Sequence, residues 1–411
     1  MNHKKAIILK KLWPYKKYQM LHQIIHPLSV EDFFSKYFEK QYLLIKRNDK
    51  DYFKDVLNVD SLDQLIFSSS NYYPTFKAVS HSKGKLDPAK YCTNVNGGYV
   101  IDSSQFVKCY QEGYTLVLSD IQNKILSLRN LTNDVTKALG HRTGTNIYIT
   151  PKDSQGFPAH YDTHDVFVLQ ISGTKKWRIY DVFEELPNGE MKFDNNFSDT
   201  GNVLDEFLLE EGDMLYIPRG MVHDANCDDD SSIHITLGLF GKSWGEIISE
   251  YISESTQFHK ILRKYPKLYN SDFDSLNSED ISEIADLISN LIVNIKSDFK
   301  KLNNFEEHVR PANLGFFKQI YSLDSFNSSS FIYPSKMEKF NVIDKENGAI
   351  SVHNSKIQLT LPAPCKEFIQ EVFSLTEPKQ LSAIDCILDD DSKLQLVRQL
   401  INMGGIQFEN N

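Results

Sequence analysis

The feature that most constrains this chain is a stretch between about residues 143 and 240 where short β-prone segments follow one another at close intervals. Candidate strands span 145–150, 166–172, 175–180, 203–208, 213–217 and 233–239, and clusters of Gly, Pro, Asn and Asp separate them. Many short strands punctuated in this way predict an antiparallel barrel or sandwich. Within it, Gly173-Thr174 reads as the two-residue turn of a hairpin over 166–180, with Gly first as a II′ turn prefers.

Outside that stretch the pattern changes. At 411 residues the chain exceeds what one core usually fills, which predicts two or three domains. Ser29-x-x-Asp32 is a cap-like signal for a helix that gives way to an apolar extended run by Arg47. Residues 60–130 mix short helical and extended signals. From 245 to 305 apolar residues recur at three- and four-residue spacing, as helices require. A Ser/Asn-rich stretch at 327–330 reads as a linker. Beyond it come a strand at 356–361, helices at 366–373 and 393–403, and a closing Gly404-Gly405-Ile406. Helices followed by a terminal β element are consistent with a small winged-helix-like domain.

Composition excludes several classes. The 41% hydrophobic and 24% charged content belongs to ordinary globular proteins. No apolar run approaches the roughly 18–20 residues of a membrane span. The Lys-rich N-terminus has an apolar run, 6–9, too short for a secretory signal, so the cytoplasm is the expected location. Five scattered cysteines without a CxxC pair argue against a disulfide framework and a structural zinc site. A net charge of −10 argues against binding a nucleic-acid backbone and is compatible with a basic protein or peptide partner.

The chemistry centres on Pro158-Ala159-His160-Tyr161-Asp162, with His223 some sixty residues later, after Ile217-Pro218-Arg219-Gly220. On extended backbone, residues i and i+2 point the same way, so His160 and Asp162 can reach one metal together. A bare HxD pair is weak evidence; a third ligand from a distant strand completes one triangular face. Two imidazoles and a carboxylate with open positions suit non-haem Fe(II). His164 is an alternative ligand in another register, or a rim residue.

Parity then marks a second group. Lys175 shares a face with Trp177 and Ile179, which face the interior. A buried ammonium is costly unless an anion meets it. Either a ligand carboxylate meets Lys175, or the side chain reaches solvent at the strand end. Asn146, Tyr148 and Thr150 share one face of an earlier strand, and His234 and Thr236 one face of the last. Ile233, Ile235, Leu237 and Leu239 on the opposite face read as packing against helices.

These residues resemble the jumonji/cupin ribosomal-oxygenase family. The similarity runs through Asn146-Ile147-Tyr148-Ile149-Thr150-Pro151, Gly156 to Gln170, Gly173-Thr174-Lys175-Lys176-Trp177-Arg178-Ile179-Tyr180 and Gly212 to Gly220. It covers about 143–240 strongly and the remainder loosely, through the order of elements. Met221 departs from the larger residue often found two positions before the second His. The first 140 residues carry no alignable motif, and 228–230 look like a variable loop.

The resemblance implies an α+β fold with a β-rich core. That core is a double-stranded β-helix (a jelly-roll or cupin barrel), followed by a helical dimerisation region and a C-terminal winged helix. The corresponding segments are 1–240, 241–325 and 326–411. It further implies Fe(II) on His160, Asp162 and His223, and a 2-oxoglutarate carboxylate at Lys175 and Tyr148, with Thr236 a further contact and Asn146 nearby. Dioxygen is the other cosubstrate. The implied reaction is side-chain hydroxylation in a ribosomal protein or ribosomally made peptide, by a homodimer. The rivals are N-methyl demethylation by the same chemistry, a cupin using zinc or manganese, and a non-catalytic cupin-fold interaction protein.

Overall fold

The computed structural model describes residues 19–193, 200–266, 278–303, 309, 316–335, 340–345, 348–353 and 357–410. The Lys-rich N-terminus and its short apolar run lie outside the described residues. The chain groups into two compact units, Met1–Arg310 and Pro311–Asn411.

The first unit begins with α1 (Gln19–Ile25) and α2 (Val30–Lys36). Ser29 caps α2 as its sequence predicts, accepting a hydrogen bond from the Asp32 amide at 3.0 Å. Next come β1 (Leu43–Ile45), α3 (Val59–Ser68), β2 (Phe76–Ser80), β3 (Gly84–Lys85), the β4–β5 hairpin (Cys92–Val95 and Gly98–Ile101), α4 (Ser103–Gln111), β6 (Thr115–Ser119) and α5 (Leu126–Leu139). The strand-rich stretch supplies β7 (Arg142–Thr150), β8 (Ser154–Gln155), β9 (Asp165–Gly173), β10 (Lys175–Phe183), β11 (Val203–Leu209), β12 (Met214–Ile217), β13 (Met221–Cys227) and β14 (Ser232–Phe240). Helices α6 (Trp244–Ser255) and α7 (Ser278–Asn303) follow.

Among the described residues, apart from the β4–β5 hairpin, these strands form two antiparallel sheets that face each other. The larger runs β1-β12-β9-β14-β7-β6-β2-β3 and the smaller β11-β10-β13-β8. Alternation along β9 shows how the sheets are held. Val166 and Val168 point to the smaller sheet, into a cluster with Trp177, Ile179 and Leu215. Phe167 and Leu169 point the other way, into the core shared with the helices. Phe33 of α2 fills that second layer, its ring centroid 5.5 Å from Phe167 and 5.0 Å from Tyr216. Truncating such a fully buried Phe costs about 3–5 kcal/mol.

The expected hairpin over 166–180 is a correction. β9 and β10 are consecutive in sequence but belong to opposite sheets: β9 pairs with β12 and β14, and β10 with β11 and β13. Gly173 (φ +64°) is therefore a corner between layers rather than a tight turn within one. A Cβ there would lie 1.8 Å from the Ser231 carbonyl oxygen, so only glycine fits.

The second unit contains α8 (Phe316–Tyr321), β15 (Phe331–Pro334), β16 (Asn341–Asp344), β17 (Ala349–His353), β18 (Gln358–Pro362), α9 (Cys365–Ser374), β19 (Lys379–Gln380), α10 (Asp390–Asn402) and β20 (Ile406–Glu409). Its strands form two small sheets, β19-β15-β20 and β16-β17-β18, over a core that includes Ile332, Val352, Phe368 and Leu400. The 327–330 stretch is not a free linker. The Asn327 amide donates to Ser330 Oγ at 3.0 Å, and buried Ser330 donates to Asn410 Oδ1 at 2.6 Å. Among the described residues no helix is long and apolar enough to cross a membrane.

Candidate metal centre and its cavity

The segment carrying His160 is extended but too short to count as a strand. It meets β13 at a single bridge, where His160 N donates to His223 O at 3.0 Å and His223 N to His160 O at 2.9 Å. Two residues beyond His160, Gly220 N donates to Asp162 O at 2.9 Å. The backbone thus brings three distant side chains together. One ligand-capable atom from each of His160, Asp162 and His223 lies within 4.8 Å of the others. Both imidazoles are held from behind, His160 Nδ1 against Pro158 O at 2.8 Å and His223 Nδ1 against Met221 O at 2.9 Å. A carbonyl accepts only from N–H, so each ring in its neutral form presents a bare Nε2. Those Nε2 atoms each stand 3.9 Å from an Asp162 oxygen. Burial and the neighbouring His160 hold the pKa of His223 well below the usual imidazole range. It is a neutral donor at pH 7, as a metal needs.

The triad opens into a cavity of about 300 Å³ between the sheets. Lys175, Tyr148, His234 and Thr236 line it, together with Trp177, Val166 and Val168. Lys175 is 4% exposed, so the solvent-reaching alternative falls away. Its amine donates to Thr150 Oγ1 at 2.9 Å, and burial pushes its pKa down to about 8. Tyr148 stacks on His234 at 4.8 Å, and its pKa is raised mainly by burial. Asn146 hydrogen-bonds Tyr148 but is not among the residues lining the cavity. Asp224 is, but Arg178 grips it with two bonds of 2.8 and 2.7 Å, and Tyr180 adds a third. His164 stands outside the triad, stacked on Phe240 at 4.5 Å.

Among the lining residues that sequence reasoning did not single out are Lys77, Thr115 and Phe157. The first two lie on β2 and β6, strands from a region without a readable motif that extend the large sheet over the cavity. Phe157 sits within the motif itself, three residues before His160.

The donor set fits a divalent iron. Two imidazoles and a carboxylate from one side leave the cavity side free, and a buried amine with no facing carboxylate waits at the far end. The described residues thus match an Fe(II) ion together with a dicarboxylate.

Comparison with known proteins agrees with that geometry. The JmjC domain profile matches residues 121–247. Residues 121–247 therefore resemble a JmjC domain. A Dictyostelium discoideum protein called bifunctional lysine-specific demethylase and histidyl-hydroxylase NO66 is 26% identical over 94% of this chain and 82% of its own length. Human ribosomal oxygenase 1 is 29% identical over 57% of this chain but only 36% of its own length. The Escherichia coli ribosomal oxygenase YcfD, solved with cobalt and succinic acid, superposes with a TM-score of 0.50 at 17% identity, covering 93% of this chain and 99% of that one. That likeness establishes a common fold. The JmjC match covers α5 and β7 to β14, which carry most of the residues lining the cavity.

Proposed function

We propose that this protein is an Fe(II)- and 2-oxoglutarate-dependent oxygenase that hydroxylates an amino-acid side chain in a protein or peptide. The observation that carries the reading is the pairing of the His160–Asp162–His223 cluster with buried Lys175 across one cavity. The name of the human relative, ribosomal oxygenase 1, supports a ribosomal protein as substrate.

In this reading His160 and His223 hold iron through Nε2, and Asp162 supplies the anionic ligand. Lys175 takes the distal carboxylate of 2-oxoglutarate, with the Tyr148 and Thr236 hydroxyls as donors to the same ligand. Asn146 positions Tyr148. When bound, iron with 2-oxoglutarate and dioxygen supplies the oxidising power for oxygen insertion into a C–H bond. The chain's own share is orientation and dryness. Trp177, Val166 and Val168 wall the cavity from water, which strengthens the Lys175–carboxylate attraction.

The net charge of −10 suits a basic substrate protein. Residues 241–325 pair two subunits, with the Ile and Leu faces of α6 and α7 as the contact, and residues 326–411 form a winged-helix-like interaction domain. The cytoplasm is the expected compartment. Demethylation is the competing reading, since the Dictyostelium relative's name joins both activities; formaldehyde release from N-methylated peptides separates the two. A non-catalytic cupin is disfavoured by the complete donor set, and zinc or manganese by nothing but metal analysis. The deciding experiment is an anaerobic titration with Fe(II) and then 2-oxoglutarate. A visible metal-to-ligand charge-transfer band is expected; iron binding without a band overturns the reading.

A further inference from the structure

The cavity holds a second cation that this chemistry leaves unused. Residues directly opposite in antiparallel pairs share a sheet face. Lys77 pairs with Val117, Val117 with Tyr148, and Tyr148 with His234, so Lys77 stands on the cavity face of the large sheet. Its side chain is half-buried and lines the cavity. Its Nζ lies 6.0 Å from the centre of the Phe157 ring, and that ring lies 6.1 Å from His160 and 6.2 Å from Tyr148. Lys77 therefore borders the space beside the metal-binding residues, while Lys175 is anchored to Thr150.

Among the described residues, no hydrogen bond or ion pair reaches the Lys77 amine. Burial lowers its pKa with no opposing contribution from an acid. The cavity has two lining carboxylates, and neither is available. Asp162 faces the two histidines, and Asp224 is saturated by Arg178 and Tyr180. A dicarboxylate cosubstrate answers one lysine and the metal. Lys77 is left as surplus positive charge where a target side chain must enter.

We propose that Lys77 is the specificity-determining residue of the substrate end, where its unmatched ammonium rejects cationic target side chains and admits neutral ones. This rests on the oxygenase reading above and sharpens it. An acidic protein surface can gather a basic partner, yet the residue oxidised is neutral, and N-methyl-lysine and arginine are excluded at the last few ångströms. Two like charges brought within roughly 6–8 Å in a partly dry cavity weaken binding by about tenfold or more.

The test needs no natural substrate. The full-length protein is loaded anaerobically with Co(II) and 2-oxoglutarate, and the paramagnetic relaxation of small probes is recorded. Propionamide and N-methylacetamide stand for neutral side chains; N-methylguanidinium and tetramethylammonium stand for cationic ones. In the wild type the amides should be relaxed about tenfold more strongly than the cations. Lys77→Met should bring the cations up to the amides and leave 2-oxoglutarate affinity unchanged, while Lys77→Arg keeps the wild-type preference. Cations relaxed as strongly as amides in the wild type overturn the proposal. So does a ratio indifferent to Lys77→Met, or the failure of every probe to reach the metal. Failure of the wild type to hold Co(II) with 2-oxoglutarate, read from the cobalt visible spectrum before any probe is added, instead identifies the oxygenase reading as the error.

Discussion

At one end of the cavity both imidazoles are braced from behind. The His160 and His223 rings lean on backbone carbonyls, and the segments that carry them exchange two backbone hydrogen bonds. At the other end a single amine, Lys175, rests on one threonine hydroxyl with no carboxylate facing it. The first end is complete without a ligand. The second is a buried charge that the empty protein tolerates at a cost and that a dicarboxylate would relieve. The contrast separates two ways of preparing a site, by geometry and by unspent electrostatics, and it can be tested at each end.

The largest effect belongs to the braced end. His160→Ala should abolish turnover, by about 10³-fold or more, and abolish the charge-transfer band while leaving the fold intact by circular dichroism. Normal turnover would remove His160 from the ligand set. Next comes Lys175→Met, for which the 2-oxoglutarate dissociation constant should rise by about a hundredfold, the worth of a buried charge-assisted contact. The same substitution should leave the ligand-free protein at least as stable, because a buried cation without an anion is lost. A lower melting temperature would mean that the amine is already satisfied and that the two ends are built alike.

The third test uses pH. Lys175 has its pKa depressed to about 8, and the proposed contact with a dicarboxylate would require the ammonium. Affinity should be flat below pH 8 and weaken by about tenfold per unit above it, a dependence that Lys175→Met removes. The sign would reverse if binding needed the neutral amine. The smallest effect is expected from Thr150→Val, which takes away the hydroxyl accepting from Lys175. It should lower ligand-free stability by about 1–2 kcal/mol and 2-oxoglutarate affinity only a few-fold, measured by thermal unfolding and calorimetry.

Legibility in the sequence follows the same division. The metal end could be read because its chemistry is written locally, as His160-x-Asp162 and a proline–glycine turn before His223. Strand parity placed Trp177 and Ile179 inside but left Lys175 between the interior and solvent, and the structure buries all three. Parity could not tell a hairpin from a corner, because Gly173-Thr174 has turn chemistry in either case and the sheet a strand joins is a long-range matter. Nor could it reach Lys77 and Thr115. Their strands are five residues each, β6 is apolar with no alternation, and they enter the cavity wall only because β6 pairs with β7 and β2 with β6.

The bridge between His160 and His223 has a consequence in time as well as in space. The two amide protons that join those segments belong to two residues of the metal cluster, so opening of the ladder there and dispersal of the cluster are one event. Their exchange with solvent deuterium would then clock how often the site comes apart in the resting protein. A ligand that tightens the cluster should slow those two protons before any others.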